Sequence, residues 1–144
     1  QAVVQLAELY EVSGKADSAE QVYLKAAELL KGQLGENHPE HARVLDRIGQ
    51  FYLSVRDAEN AETVLLAAAD ELKTTLGEQH PDYAETLQHL ASAYELLNDP
   101  QKAERLQTEA ERIMSDAVSH LEANAAERIS AEIERGLREA TSRR

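Results

Sequence analysis

Leu34-Gly35-Glu36-Asn37-His38-Pro39-Glu40-His41-Ala42 returns 42 residues later as Leu76-Gly77-Glu78-Gln79-His80-Pro81-Asp82-Tyr83-Ala84, with six of the nine positions identical. A fixed period of this length means that one supersecondary unit is stacked on itself, and this decides the architecture. Each copy also carries a stop and a start. Gly35 and Gly77 suit the end of the long second helix of a unit. Pro39 and Pro81 suit the first turn of the next helix, where a missing N–H is not missed. Glu40 and Asp82 then bring negative charge to the positive end of that helix dipole. The stretch reads as a joint between helices.

Laying the period along the chain aligns many more positions. Tyr10, Tyr52 and Tyr94 fall in register, as do Leu6, Ile48 and Leu90, each followed by a small residue, Ala7, Gly49 or Ala91. The pairs Ala19-Glu20, Ala61-Glu62 and Ala103-Glu104 recur, and so do Ala26, Ala68 and Ala110. Leu30, Leu72 and Met114 close each unit. Each unit reads as two helices, because apolar residues return three or four positions apart. Leu6, Leu9, Tyr10 and Ser13 mark a face on the first helix, and Ala19, Val22, Tyr23, Ala26 and Leu30 one on the second. Between them stands a short joint: Gly14-Lys15, Arg56-Asp57 or Asn98-Asp99-Pro100. Asp99 before Pro100 supplies an N-cap acceptor and a first-turn proline. Helices are expected at 1–13, 16–34, 39–55, 58–76, 81–97 and 100–118, which makes three repeats, 1–34, 35–76 and 77–118, of an all-α solenoid.

The composition agrees with helix. Ala, Leu, Glu, Lys and Gln are strong helix formers, and aromatic residues are only 4% of the chain. A formal net charge of −12 argues against nucleic acid, whose phosphates need a basic face, and against docking on anionic lipid. There is no cysteine, hence no disulfide and no thiolate site, which fits a reducing compartment such as the cytoplasm. No apolar run approaches the roughly 20 residues of a membrane helix.

The pattern fails once. Forty-two residues beyond His80-Pro81 stand Glu122-Ala123, and the joint is absent. Helix-forming sequence instead runs on through Leu121, Ala125, Ile129, Ile133 and Leu137. Residues 119–144 are therefore expected to form a C-terminal capping or extension helix with a frayed end. The segment either continues the sixth helix as a rod or bends back near Ser119-His120. It can cap the last repeat, pair with a second chain as a coiled coil and so form a homo-oligomer, or lie in the groove as a lid. Capping is preferred, because a terminal repeat needs a polar outer face. The four-residue spacing from Leu121 to Leu137 drifts around a straight helix and is not a sustained heptad.

These residues resemble the tetratricopeptide repeat. Its pattern of bulky, small and Tyr on the first helix, then Ala, aromatic and Ala on the second, is met by Leu6, Ala7, Tyr10, Ala19, Tyr23 and Ala26. The second unit offers Ile48, Gly49, Tyr52, Ala61, Leu65 and Ala68; in the third, Gln107 stands where the aromatic belongs. The common unit is about 34 residues long. The longer period with its LGxxHPxxA joint looks like the kinesin-light-chain subclass. HEAT and armadillo repeats have similar lengths, but the Tyr and Ala rungs and the His-Pro joint argue against them. The resemblance implies a right-handed superhelix whose first helices line a concave face that holds a short peptide of a partner protein. By register that face takes Val4, Gln5, Glu8, Glu11 and Val12 from the first unit, and Arg43, Asp46, Arg47, Gln50 and Ser54 from the second. Glu85, Gln88, His89, Ser92 and Glu95 come from the third. The partner-binding candidates chosen from these are Glu8, Arg43, Asp46, Arg47, Gln50, Glu85, Gln88, His89 and Ser92.

No reaction-ready site is readable. His38 and His41 stand three apart, a spacing open to two metal ligands, but His38 recurs as His80 beside Pro at a helix start, which suits an N-cap. No carboxylate cluster at ligand spacing accompanies them. Acidic residues scatter over helix faces, no serine sits in a nucleophile elbow, and no Gly-rich phosphate loop occurs. No enzymatic activity, cofactor or metal is expected. Arg43 and Arg47, one helical turn apart, read either as a solvated face or as a fork for a partner's carboxylates. With Glu8, Glu11, Glu85 and Glu95 nearby, a partner segment of mixed charge is expected. The function expected is a non-catalytic scaffold for a partner peptide; the alternative is a structural, oligomerisation or regulatory arm of a larger protein.

Overall fold

In the computed structural model, which describes residues 2–143, the chain forms α1 (Ala2–Val12), α2 (Ala16–Leu34), α3 (Pro39–Ser54), α4 (Ala58–Leu76), α5 (Pro81–Leu96) and α6 (Pro100–Ser142). Among the described residues there is no strand. Each helix packs on its neighbours in sequence, and α3 also meets α5, so the molecule is an α-solenoid of three helix pairs.

The joints inside the units share one geometry. The N–H of Lys15, Asp57 and Asp99 donates to the carbonyl of Tyr10, Tyr52 and Tyr94, and the N–H of Gly14, Arg56 and Asn98 to that of Glu11, Leu53 and Glu95. This is the Schellman pattern, which satisfies the last carbonyls of a helix. It requires a positive φ at its centre, and Gly14, Arg56 and Asn98 have φ of 73°, 62° and 59°. Asp57 and Asp99 then cap the following helix, their side chains accepting from the N–H of Asn60 and Lys102. Gly at 14 pays no Cβ penalty and Asn at 98 little, whereas Arg56 has no such excuse. Arg56→Gly is therefore expected to raise the unfolding free energy by about 1 kcal/mol, read from the midpoint of urea unfolding. A lower midpoint would show that the Arg56 side chain contributes more than its backbone costs.

The joints between units work through histidine. His38 Nδ1 accepts from the N–H of Glu40, and His80 Nδ1 from that of Asp82, each at 3.1 Å, with Pro at the start of the helix that follows. Gly35 and Gly77 end the preceding helices at φ 83° and 96° with ψ near 175° and 161°, a region that is essentially restricted to glycine.

The core runs along the solenoid axis. Tyr23, Ile48, Leu65, Leu72 and Ile113 are fully buried, and the rings of Tyr23, Phe51 and Tyr52 succeed one another with centroids 5.5–5.6 Å apart. Two rungs of the repeat prove to be bonded to each other. The Tyr52 hydroxyl donates to Glu20 at 2.7 Å, and one unit further on the Glu62 carboxylate acts on the Tyr94 phenol. Burial, with the adjacent carboxylate adding to it, pushes both phenols up to about 12, so both stay protonated.

Two expectations need correction. Leu6 and Leu9 do not face the core: they are 43% and 61% exposed, while Ile48 and Leu90 at the rung of Leu6 are buried. Those two rest on a helix of the preceding unit, and no described helix lies on that side of α1. The C-terminal segment also does not fold back to cap. α6 runs unbroken past Ser119-His120 to Ser142, and every residue from Val118 to Arg143 is exposed. The outer face of the last repeat is instead polar in itself: Gln107 and Glu111 stand where the second unit buries Leu65 and Ala69.

Candidate partner-binding face

The first helices α1, α3 and α5 stand in a row, and polar side chains link them. Arg47 of α3 donates to Glu8 of α1 and, at 3.2 Å, to Gln50 on its own helix. Arg43 of α3 reaches Asp82 of α5 at 2.8–2.9 Å and also pairs with Glu40. Asp46 of α3 accepts from Gln50 at 2.9 Å and from His89 of α5 at 3.0 Å. Glu11 of α1 accepts from Ser54 of α3 and from the buried Tyr23, both at 3.1 Å. The face is therefore cross-linked helix to helix by pairs of opposite character.

The spacing of these pairs has a simple cause. Glu8–Arg47 and Arg43–Asp82 are 39 residues apart, and Asp46–His89 and Glu11–Ser54 are 43 apart. The repeat period is 42. A side chain thus meets residues on either side of its own counterpart on the next first helix, four apart from each other and so on one helical face.

Electrostatics differ along the row. Burial works to raise the Asp46 carboxyl, but the hydrogen bond and charge of His89, with Gln50 and Thr86 behind, outweigh it and hold the group below its ordinary value. Burial likewise works to lower the His89 imidazole, and the hydrogen bond and charge of Asp46 outweigh that and hold it above. Each group thus favours the charged form of the other, with Nδ1–H of His89 donating to the Asp46 carboxylate. The arginine pairs are different: their side chains are half-exposed, and exposed ion pairs contribute only about 0–1 kcal/mol. Arg47 carries one further feature, a buried Nε without a hydrogen-bond partner among the described residues.

Two depressions meet on this face. A cleft of about 730 Å³ lies between α1, α2 and α3, its wall made apolar by Val3, Val4, Leu29 and Leu30. A smaller one of about 210 Å³ lies between α3 and α5, lined by Asp46, Gln50, Asp82 and Glu85 among others. Arg43 and Arg47 line both. Of the residues expected here, Glu8, Arg43, Asp46, Arg47, Gln50 and His89 are brought into the bonded row, and Glu85 lines the smaller depression. Gln88 and Ser92 are exposed further along α5, where the Ser92 hydroxyl donates back to the Gln88 carbonyl at 3.3 Å. Asp82 and Thr86 also line the smaller depression and were not expected on this face; the 39-residue offset is the signal that finds Asp82.

His38, His80 and His41 are bonded within the fold. His41 is buried and its Nδ1 lies 2.9 Å from Glu71 of α4, so it does not converge with the N-cap His38. Among the described residues no group of three or more His, Asp or Glu side chains is placed to hold a metal ion. No described helix is long and apolar enough to cross a membrane.

Comparison with known proteins places this geometry. The tetratricopeptide repeat family model matches residues 1–70 and 42–116. The crystal structure of BtubC (BKLC) from P. vanneervenii superposes with a TM-score of 0.75 and 27% identity, over 80% of this chain and 46% of that one. Two structures from Podosopora anserina, described as a kinesin light chain with nearly identical TPR-like repeats, superpose with a TM-score of 0.73 and 20% identity, over 81% of this chain and 55% of theirs. The chain thus spans about half the length of these solved structures. A search of curated proteins gives no match.

Proposed function

The chain belongs to the tetratricopeptide repeat family in its kinesin-light-chain-like form, and on that premise we propose that it is a non-catalytic scaffold that holds a short segment of a partner protein across α1, α3 and α5. Repeats of this family mediate protein–protein interaction, which makes a protein the partner class. The observation that carries the finer reading is the position of Arg43 and Arg47. They line both depressions at once, so one extended segment can run from the apolar cleft to the polar one and meet both guanidinium groups. Neither arginine is idle in the free chain. A partner carboxylate takes the place of Glu8, Glu40 or Asp82, and a partner cation takes the carboxylate so released. The exchange costs little because the existing pairs are half-exposed. A segment of mixed charge with an apolar anchor fits this face, and the absence of cysteine fits a cytoplasmic setting.

Panning the chain against a display library of short peptides tests the reading. Peptides retained by the chain are expected to lose at least roughly tenfold in affinity, about 1.4 kcal/mol, for the double variant Arg43→Gln with Arg47→Gln, whose helical circular dichroism stays unchanged. A library that yields no binder, or binders indifferent to the double replacement, ends the reading. The 43-residue helix α6 favours a second reading, in which the repeats are an arm of a larger assembly.

A further inference from the structure

Beyond the last repeat, α6 carries a row of apolar side chains that nothing in the described chain covers. Val118, Leu121, Ile129, Ile133 and Leu137 are each more than half exposed, and Ala125 and Ala140 continue the row. Its spacing is 3, 4, 4, 4, 4 and 3 residues from Val118 to Ala140. The row therefore reads the same from either end, with Ile129 at its centre. The mean spacing is about 3.7 residues per turn, the period of right-handed two-helix supercoils rather than of a heptad.

We propose that α6 pairs antiparallel with α6 of a second copy of this chain, on a two-fold axis at Ile129. That register sets Ile129 against Ile129, Leu121 against Leu137, Ala125 against Ile133 and Val118 against Ala140. Every apolar residue of the row meets another, and small residues meet large ones, which is how layers interdigitate. A parallel pair in register would set Ala125 on Ala125 and Ala140 on Ala140 and leave those layers underfilled.

Charge selects the same occupant and the same direction. Residues 119–134 hold four glutamates and one arginine, a balance of −3, whereas residues 135–144 hold four arginines and one glutamate, a balance of +3. Antiparallel pairing in this register lays residues 135–143 of each helix, with their three arginines, along residues 115–123 of the other, where Asp116 and Glu122 stand and no lysine or arginine does; parallel pairing lays like on like. Because residues 119–144 are neutral in sum, the whole net charge of −12 lies on the repeats. An antiparallel rod of about 33 Å holds the two acidic bodies at opposite ends, well beyond the screening length of ~8–10 Å. A parallel pair would hold them side by side.

Sedimentation equilibrium of the full chain over a broad concentration series tests the pairing. The expected result is a mass of about twice the 16.0 kDa of the single chain, with Ile129→Glu returning it to single-chain mass and leaving the helicity of the repeats unchanged. Direction is read by spin labels, for which the cysteine-free chain is suited. Labels at Ser119→Cys, and separately at Glu139→Cys, are expected about 30 Å or more apart across the dimer, since 20 residues of rise separate each from its symmetry mate. Single-chain mass at every concentration overturns the proposal. So does a dimer that survives Ile129→Glu, or one in which both labels show only a short distance set by helix width.

Discussion

Tyr23→Ala is expected to lower the free energy of unfolding by about 3–5 kcal/mol, the range for truncating a large buried aromatic. Tyr23 has no exposed surface, and its ring lies 5.6 Å from that of Phe51 on α3. Its hydroxyl donates to Glu11 of α1, and burial pushes the phenol up to about 12, with Glu11 adding to it, so the donor persists at any working pH. One side chain thus joins α1 and α2 to the second unit. Removing it takes away the packing and leaves Glu11 with one partner fewer. In a solenoid each unit is held by its neighbours, so the loss should be uneven. Hydrogen exchange is expected to show the amides of α1 and α2 losing protection while those of α3 to α5 keep most of theirs. A loss below about 1 kcal/mol, or one shared evenly along the chain, would show that Tyr23 does not couple the first unit to the second.

The second large effect has a sign that the repeat pattern alone gets wrong. Ala7 and Ala91 occupy the rung at which the second unit has Gly49, and in mid-helix Ala is better than Gly by about 1 kcal/mol. On both grounds Gly49→Ala should stabilise. The structure reverses this. A Cβ at position 49 would lie 2.3 Å from Leu65 Cδ2 and 2.4 Å from Cγ, and Leu65 is fully buried on α4 with no room to withdraw. Gly49→Ala is therefore expected to cost about 1–3 kcal/mol through overpacking, and Leu65→Ala about 2–5 kcal/mol through a cavity. The double variant should cost clearly less than the sum, because the added methyl enters the space that the leucine vacates. Denaturant unfolding of the four proteins reads the cycle. Additive losses, or a stabilised Gly49→Ala, would mean that α3 and α4 lie further apart.

Much of this molecule is legible in its sequence because the cues are local. The LGxxHPxxA stretches act through residues next to one another: a glycine that accepts positive φ, a histidine two residues from the N–H it caps, a proline in a first turn. Helix boundaries follow from such contacts, and those of the first five helices lie within a residue of expectation. The candidate site was legible in position and not in state. The period places Arg43, Asp46, Arg47 and His89 on first helices that share a face. It says nothing of whether their charges are free, because that depends on partners 39 and 43 residues away.

The sequence by itself determined the repeat, the all-helical class, the joints and the family, since period and capping are properties of the chain over a few turns. Tertiary structure alone decided which rungs bond to which: Tyr52 to Glu20 rather than to solvent, Arg47 to Glu8, Leu65 over Gly49. It alone showed that Leu6 is left exposed and that α6 leaves the repeats as one unbroken helix. The physical reason is the same in each case. A helix is set by bonds four residues long, whereas side-chain pairing, burial and the course of a helix past its last neighbour are set by how whole helices stack.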